Sequence, residues 1–372
     1  MKKSNLKYYQ KINFKQVPRL IFWETTTECN LECIHCRRLN TSKELSKKDL
    51  TTQEGYTFID SIQQLNPSTI LVFSGGEPLY RRDIFELANY AVQKNLTVAL
   101  ATNGTLIDQD IAQKILQSGI HRVSVSIDGA SPEVHDSFRQ VKGSYDRALN
   151  GIKILKTSGI SSQINFTLAK HNIHQLEDIY NLALDLKLDA LHFFMLVPVG
   201  CGVEISESQL LSPDKYEEIL NWIYEKSKEQ KIQIKTTCAP HYYRVIRQRA
   251  KQEGVVITPK THGMSAMTKG CLAGTGVCFI SHEGEVFPCG YFPLSSGNIR
   301  KNNLSSIWYK SEIFNQLRDP NKLEGKCGIC EYKNVCGGCR ARAYFKTGNY
   351  LSEEPYCSYN EFSQKTKNTF FN

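Results

Sequence analysis

The chain has 372 residues, 41% of them hydrophobic and 22% charged, and a net charge of +9. That balance excludes a disordered or low-complexity protein and leaves room for two or three domains around a sizeable core. The longest apolar run, LHFFMLVPVG at 191–200, is about half of what a membrane span needs, and Lys and Arg are spread along the chain with no nucleic-acid module, so neither a membrane span nor a nucleic-acid partner is expected.

Lys2, Lys3 and Lys7 make an N-terminal extension (1–18) basic, but no apolar stretch follows, so no signal peptide is expected. From residue 19 the chain alternates β-branched or aromatic runs with amphipathic stretches. Strands are predicted at 19–26, 69–74, 97–102, 122–128, 162–169 and 190–198, and helices at 51–65, 83–93, 108–118, 144–157, 174–186 and 212–229. In the fifth helix Leu176, Ile179, Tyr180, Ala183 and Leu186 recur at i, i+3, i+4 spacing and make one apolar face. This alternation predicts an α/β fold with a parallel sheet, a partial (β/α)6 TIM-like barrel over 19–235. Loops after the strands then share one face, where barrel active sites lie. After residue 235 turns, glycines and cysteines take over, predicting a bridging segment at 236–270 and a cysteine-rich domain at 271–372.

Thirteen cysteines without a secretion signal are candidate metal ligands before they are disulfides, and they point to a reducing, cytoplasmic location. Cys29, Cys33 and Cys36 form a C-x3-C-x2-C triplet in TTECNLECIHCRR (26–38), just after the first strand. A structural zinc or a fully ligated cluster takes four protein ligands, whereas three leave a coordination position open for chemistry. SGGEP (74–78), ATNG (101–104) and SIDG (126–129) follow the next three strands and so meet this loop in one cleft.

Together these motifs resemble the radical S-adenosylmethionine (SAM) superfamily, whose signature is this triplet with an aromatic residue, here His35, before the last cysteine. The resemblance implies a [4Fe–4S] cluster on Cys29, Cys33 and Cys36, with SAM chelating the open iron. One electron then cleaves SAM to a 5′-deoxyadenosyl radical. It also implies SAM contacts from His35, from Gly75, Gly76 and Glu77 at the amino group, and from Asn103, Ser126 and Asp128 at the ribose and carboxylate.

A second metal signal is Cys327-x2-Cys330-x5-Cys336-x2-Cys339, followed by Cys357 and preceded by Cys271, Cys278 and Cys289. Spacing alone suits zinc or iron–sulfur. The order resembles the SPASM extension of radical SAM enzymes, which carries auxiliary [4Fe–4S] clusters. By that resemblance Cys327, Cys330, Cys336 and Cys357 hold one cluster. Cys271, Cys289 and Cys339, with Cys278 as the candidate fourth ligand, would hold another. The two residues between Cys336 and Cys339, where three are usual, leave the partner of Cys339 open, and with it the count of one or two auxiliary clusters.

VPVGCGVEI (197–205), TCAPHYYRVIRQRA (237–250), GCLAGTGVCFISHEGEVFPCGYF (270–292) and CGGCRARAY (336–344) are similar to the heme-pathway branch of radical SAM/SPASM enzymes, nearest to the heme-forming members of its siroheme-dependent route. This implies oxidative decarboxylation of two propionates of iron-coproporphyrin III to the vinyls of heme b. An auxiliary cluster would accept the electron, and a reduced donor such as ferredoxin or flavodoxin would start the cycle. Arginine suits carboxylates because its fork binds them bidentately, so Arg37, Arg38, Arg244 and Arg247 are candidate propionate partners. His241 and Cys238 are candidate axial ligands of the substrate iron. Other readings are a different tetrapyrrole modification (heme d-type, or deacetylation of didecarboxysiroheme), a SPASM peptide-modifying enzyme, or a non-catalytic iron–sulfur carrier. A carrier has no use for an open three-cysteine site.

Overall fold

The structure, a computed structural model, describes residues 17–38 and 43–359. The basic residues Lys2, Lys3 and Lys7, most of the expected N-terminal extension, and 360–372 of the expected C-terminal domain lie outside the described residues.

All six predicted strand–helix units form. The strands are β1 (Leu20–Glu24), β2 (Ile70–Ser74), β3 (Thr97–Thr102), β4 (Arg122–Ser126), β5 (Ser162–Leu168) and β6 (Ala190–Met195). The helices are α1 (Thr52–Leu65), α2 (Ile84–Gln93), α3 (Gln109–Gln117), α4 (Pro132–Arg139), α5 (Ser144–Thr157), α6 (Leu176–Asp185) and α7 (Pro213–Lys228). Of these, α4 was not anticipated. Ser131 caps it by accepting from Val134 N, and Pro132 supplies the fixed φ of a first helical turn.

Beyond the six units, β7 (Gln233–Thr237) adds a parallel strand against β6 and carries the sheet past residue 235. On the other side, β8 (Val277–Ile280), from the cysteine-rich segment, lies parallel to β1 with Leu20 opposite Val277 and Ile21 opposite Cys278. β9 (Val286–Phe287) returns antiparallel to β8. The order is β7-β6-β5-β4-β3-β2-β1-β8-β9. Strands β1 to β7 therefore follow one another in chain order, the wrapping of a barrel. A doubly wound sheet would reverse at a switch point.

Along β1, Ile21 and Trp23 are fully buried, and Trp23 meets Phe58 and Phe73 edge-on at 5.3 and 5.6 Å. Gly55 of α1 lets that helix sit down on this layer, since a Cβ there would stand 2.7 Å from Leu87 Cδ2 of α2. Two further helices frame the C-terminal chemistry, α8 (His241–Gln252) and α9 (Arg340–Thr347).

Candidate functional site

The loop 25–38 leaves the C-terminal end of β1 carrying Cys29, Cys33 and Cys36. The three thiols lie within electrostatic reach of one another, and burial pushes the Cys29 thiol up to about 12. Burial also pushes the Cys33 thiol up, against the pull of Arg139, whose Nη1 donates to Cys33 Sγ at 3.5 Å. Buried thiols that resist ionisation in this way become thiolates when a metal takes the place of the proton. With a guanidinium alongside to offset negative charge, the triplet fits an iron–sulfur cluster.

The following loops close around it. Gly76 N donates to Thr26 O at 2.8 Å and Glu77 N to Glu28 O at 2.6 Å, tying the SGGEP turn to the cysteine loop. A Cβ on Gly75 would stand 2.8 Å from Thr26 O, and one on Gly76 2.7 Å from Thr27 O, so the two backbones approach as closely as glycine allows. Glu77 is fully buried and accepts from Thr102 Oγ1 (2.7 Å), Asn103 N (2.8 Å) and Leu79 N (3.2 Å). Burial nonetheless pushes its carboxyl up to about 7. A carboxylate so desolvated suits an incoming cation, which would bring that pKa down again. The Asn103 amide donates to Asn30 Oδ1 at 2.8 Å, placing it beside the cysteine loop.

Asp128, buried after β4, accepts from Thr167 N at 2.8 Å and pairs with Arg139 Nη2 at 2.5 Å and with His35 Nε2 at 3.5 Å. Burial disfavours its charge, but Arg139, the two histidines His35 and His135 and the Thr167 amide together outweigh that and hold the carboxyl below the usual range. His35 lies flat on Phe138 at 4.1 Å, and burial pushes it down to about 4, so the ring is neutral near pH 7. Ser126 ends β4 opposite Asn165 of β5. The predicted contact residues thus share one end of the sheet with the three-cysteine loop. Arg139, which joins Asp128 to Cys33, was missed because it sits on the unanticipated α4. The cue was the S-P pair at 131–132, a helix start.

The GCG turn at 200–202 braces the loop from the far side. Cys201 N donates to Cys36 O at 2.8 Å, and its thiol donates to Arg38 O at 2.8 Å. At Gly200 (φ +58) a Cβ would collide with Arg37 O and stand 2.7 Å from Cys36 O.

Arg37 and Arg38 both ion-pair with the buried carboxylate of Glu24 at the end of β1, and Arg37 also lies 4.0 Å over the Phe279 ring. His282, from the β8–β9 turn, completes the group with Nδ1 2.9 Å from Glu24 Oε2. Arg244 and His241 lie elsewhere. With Cys327, Cys330, Cys336 and Cys357 they line a cavity in the C-terminal segment. Arg244 is 2% exposed and grips Glu217 with both terminal nitrogens. His241 is 1% exposed, has a hydrogen-bond partner at neither ring nitrogen, and lies 3.9 Å from Glu354. Arg247, one turn along α8, donates to Tyr243 O at 2.8 Å.

In the C-G-G-C stretch both glycines take the left-handed conformation, φ +71 at Gly337 and +61 at Gly338. That turn separates its two cysteines. Cys336 has Cys357 and Cys327 as thiol neighbours, whereas Cys339 has Cys271. A fully buried ion pair, Arg342 Nε to Glu354 Oε1 at 3.0 Å, stands between the two groups. Glu354 Oε2 accepts from Cys339 N at 2.5 Å, and Glu354 N donates to Cys327 Sγ at 3.3 Å. None of the thirteen cysteines is in a disulfide.

Residues 23–183 match the radical SAM superfamily and residues 271–340 an iron–sulfur cluster-binding domain. A Methanosarcina barkeri protein named AdoMet-dependent heme synthase is 53% identical over 348 residues, covering 94% of this chain and 98% of that one. The chain belongs to the radical SAM/SPASM enzymes of the heme-synthase group. An Oleidesulfovibrio alaskensis protein of the same name is 47% identical, covering 92% of this chain and 87% of its own. Among solved structures, Streptococcus suis SuiB bound to its precursor peptide SuiA superposes with a TM-score of 0.73 at 16% identity, over 95% of this chain and 79% of that one, a likeness of fold. The cofactors of this enzyme are a [4Fe–4S] cluster used with SAM, and auxiliary iron–sulfur clusters in the C-terminal segment. Among the described residues no helix is long and apolar enough to cross a membrane.

Proposed function

We propose that this enzyme converts iron-coproporphyrin III to heme b by oxidative decarboxylation of two propionates. The full-length similarity to heme synthases carries the reading. When bound, the cluster and SAM supply a primary carbon radical that abstracts one hydrogen atom. For each propionate, loss of a β-hydrogen, one electron and CO2 leaves a vinyl, so an electron acceptor is required, and the C-terminal thiols are suited to hold one.

In this reading Cys29, Cys33 and Cys36 hold the SAM cluster, and Arg139 offsets its negative charge. Glu77 would take the SAM ammonium, and Asn103, Ser126 and Asp128 would serve its ribose and carboxylate. Cys327, Cys330, Cys336 and Cys357 hold an auxiliary cluster, with Arg244 supplying a cation beside it. Arg37 and Arg38, next to Cys36, are the sequence-nominated cations nearest the radical chemistry. Residues 19–235 then form the radical domain, 236–270 a bridge and 271–372 the auxiliary domain. We place the enzyme in the cytoplasm, where cysteines without disulfides persist. There it would draw electrons from a low-potential carrier such as ferredoxin or flavodoxin.

The test is anaerobic turnover of the reconstituted chain with SAM, dithionite and iron-coproporphyrin III, followed by mass spectrometry. Stepwise loss of two carboxyl groups, matched by 5′-deoxyadenosine, is expected. Deoxyadenosine without any change in the porphyrin would overturn the substrate.

A further inference from the structure

Sequence order groups Cys278 with the C-terminal thiols, but its place in the fold does not. Cys278 lies in β8 opposite Ile21, has no exposed surface, and belongs to the main hydrophobic core. The charged side chain that faces it is Arg318. Cys238 behaves in the opposite way. It follows β7 directly, and its backbone sits in the left-handed region (φ +57), which non-glycine residues seldom adopt. Such strain gathers where the fold aims a side chain at a site. The Cys238 side chain reaches the edge of the main core and also packs with Cys339, Val197 and Ala341, a small cluster that Cys278 does not join. Two residues on, Pro240 abuts Gly270, the neighbour of Cys271, where a Cβ would stand 2.6 Å from Pro240 Cβ. Its thiol neighbours are Cys339, Cys289 and Cys271, and Cys289 in turn has Cys271 and Cys339 beside it. Cys238, Cys271 and Cys289 keep some accessible surface and Cys339 is 5% exposed, whereas Cys278 has none.

We propose that Cys238, from the loop after β7, is the fourth thiolate of a second auxiliary [4Fe–4S] cluster, joining Cys271, Cys289 and Cys339, and that Cys278 is not a ligand. The proposal rests on the radical SAM/SPASM reading and deepens it. Four thiolates saturate the four irons, so this cluster has no open position for substrate. It passes electrons, and Cys238 is not an axial ligand of the substrate iron. Arg342, which has both Cys238 and Cys339 as neighbours, offsets the thiolate charge. The ligand set ties the strand-end side of the sheet to the C-terminal segment.

The test uses the full chain, reconstituted anaerobically with ferrous iron and sulfide. Iron and acid-labile sulfide per chain are measured, together with low-temperature EPR of the dithionite-reduced protein. Cys238→Ala is expected to lose about a third of the iron, one of three four-iron clusters, or to show a three-iron signal on oxidation. Cys278→Ala is expected to keep the wild-type iron. If Cys238→Ala does not fold, Cys238→Ser is read instead, and a shifted EPR spectrum is expected. Wild-type iron and spectra in the Cys238 variant, or a loss in Cys278→Ala with none in Cys238→Ala, would overturn the assignment. Deoxyadenosine formation is followed in parallel. Failure of the wild-type chain to cleave SAM would sink the radical SAM reading, whereas the iron measurement judges Cys238 alone.

Discussion

Placing a methyl group on Gly76 tests how tightly the SGGEP turn is held against the cysteine loop. The added Cβ would stand 2.7 Å from Thr27 O and nearer still to Glu28 O, both backbone atoms. Relaxed carbon–oxygen contacts begin near about 3.3 Å, so the two segments must part by roughly 0.6 to 1 Å. The hydrogen bonds that join them, Gly76 N to Thr26 O at 2.8 Å and Glu77 N to Glu28 O at 2.6 Å, cannot both survive that shift. Misplacement of about 1 Å at a reacting centre costs about 100-fold in rate. Gly76→Ala is therefore expected to slow reductive SAM cleavage by about two orders of magnitude while the chain stays folded. Gly75→Ala meets Thr26 O at 2.8 Å and needs a smaller shift, about 0.5 Å, so its loss should be the milder of the two. The assay is 5′-deoxyadenosine formation under dithionite, with circular dichroism as the control for folding. Wild-type cleavage in Gly76→Ala, or a larger loss at Gly75 than at Gly76, would refute the reasoning.

In the metal-free chain, Glu354→Leu leaves the fully buried Arg342 without its carboxylate and is expected to cost about 3–5 kcal/mol, read as a denaturant midpoint. Arg342→Met/Glu354→Leu should recover most of that, and equal instability of the single and double variants would show that the pair is not charge compensation. Glu24 is buried, which opposes its charge, yet Arg37, His282 and Arg38 outweigh burial and hold the carboxyl well below the usual range. A depressed carboxyl contributes stability above its unfolded pKa of about 4.3 and loses it as pH falls toward the folded value. Glu24→Gln should therefore flatten the loss of stability below about pH 4, and an acid-unfolding curve parallel to wild type would contradict this. Arg244→Ala leaves Glu217 without its bidentate partner and removes a cation beside Cys336 and Cys357. It is expected to change the EPR of the auxiliary clusters while SAM affinity stays at the wild-type level; weakened SAM binding would argue against the placement.

The barrel was legible because each unit announced itself locally. Of the apolar face predicted within 174–186, Ile179, Tyr180 and Ala183 are buried and the end residues Leu176 and Leu186 are half-buried. The motifs at the strand ends were legible for a related reason, since barrel topology sends every such loop to one face. What escaped was non-local or weakly patterned. β7 reads QIKTT, largely polar, with no apolar alternation to mark it. α4 has only eight residues and follows the SIDG loop. The pairing of β8 with β1 joins segments that no periodicity connects. No local pattern could therefore show that Cys278 enters the sheet opposite Ile21. Arg37 and Arg244 could be recognised as arginines suited to carboxylates, but that their partners are Glu24 and Glu217 is a matter of tertiary placement.

The strand pairing between β1 and β8 also decides how this enzyme can be taken apart. A cut before residue 271 would not release a separate module; it would strip β1 of a neighbour and expose a row of unpaired amides and carbonyls, an invitation to aggregate. The same cut would take His282 from Glu24, the carboxylate that holds Arg37 and Arg38 beside Cys36. The two halves are therefore one body, in which the spacing between the three-cysteine loop and the C-terminal cysteines is set by backbone hydrogen bonds and not by a tether.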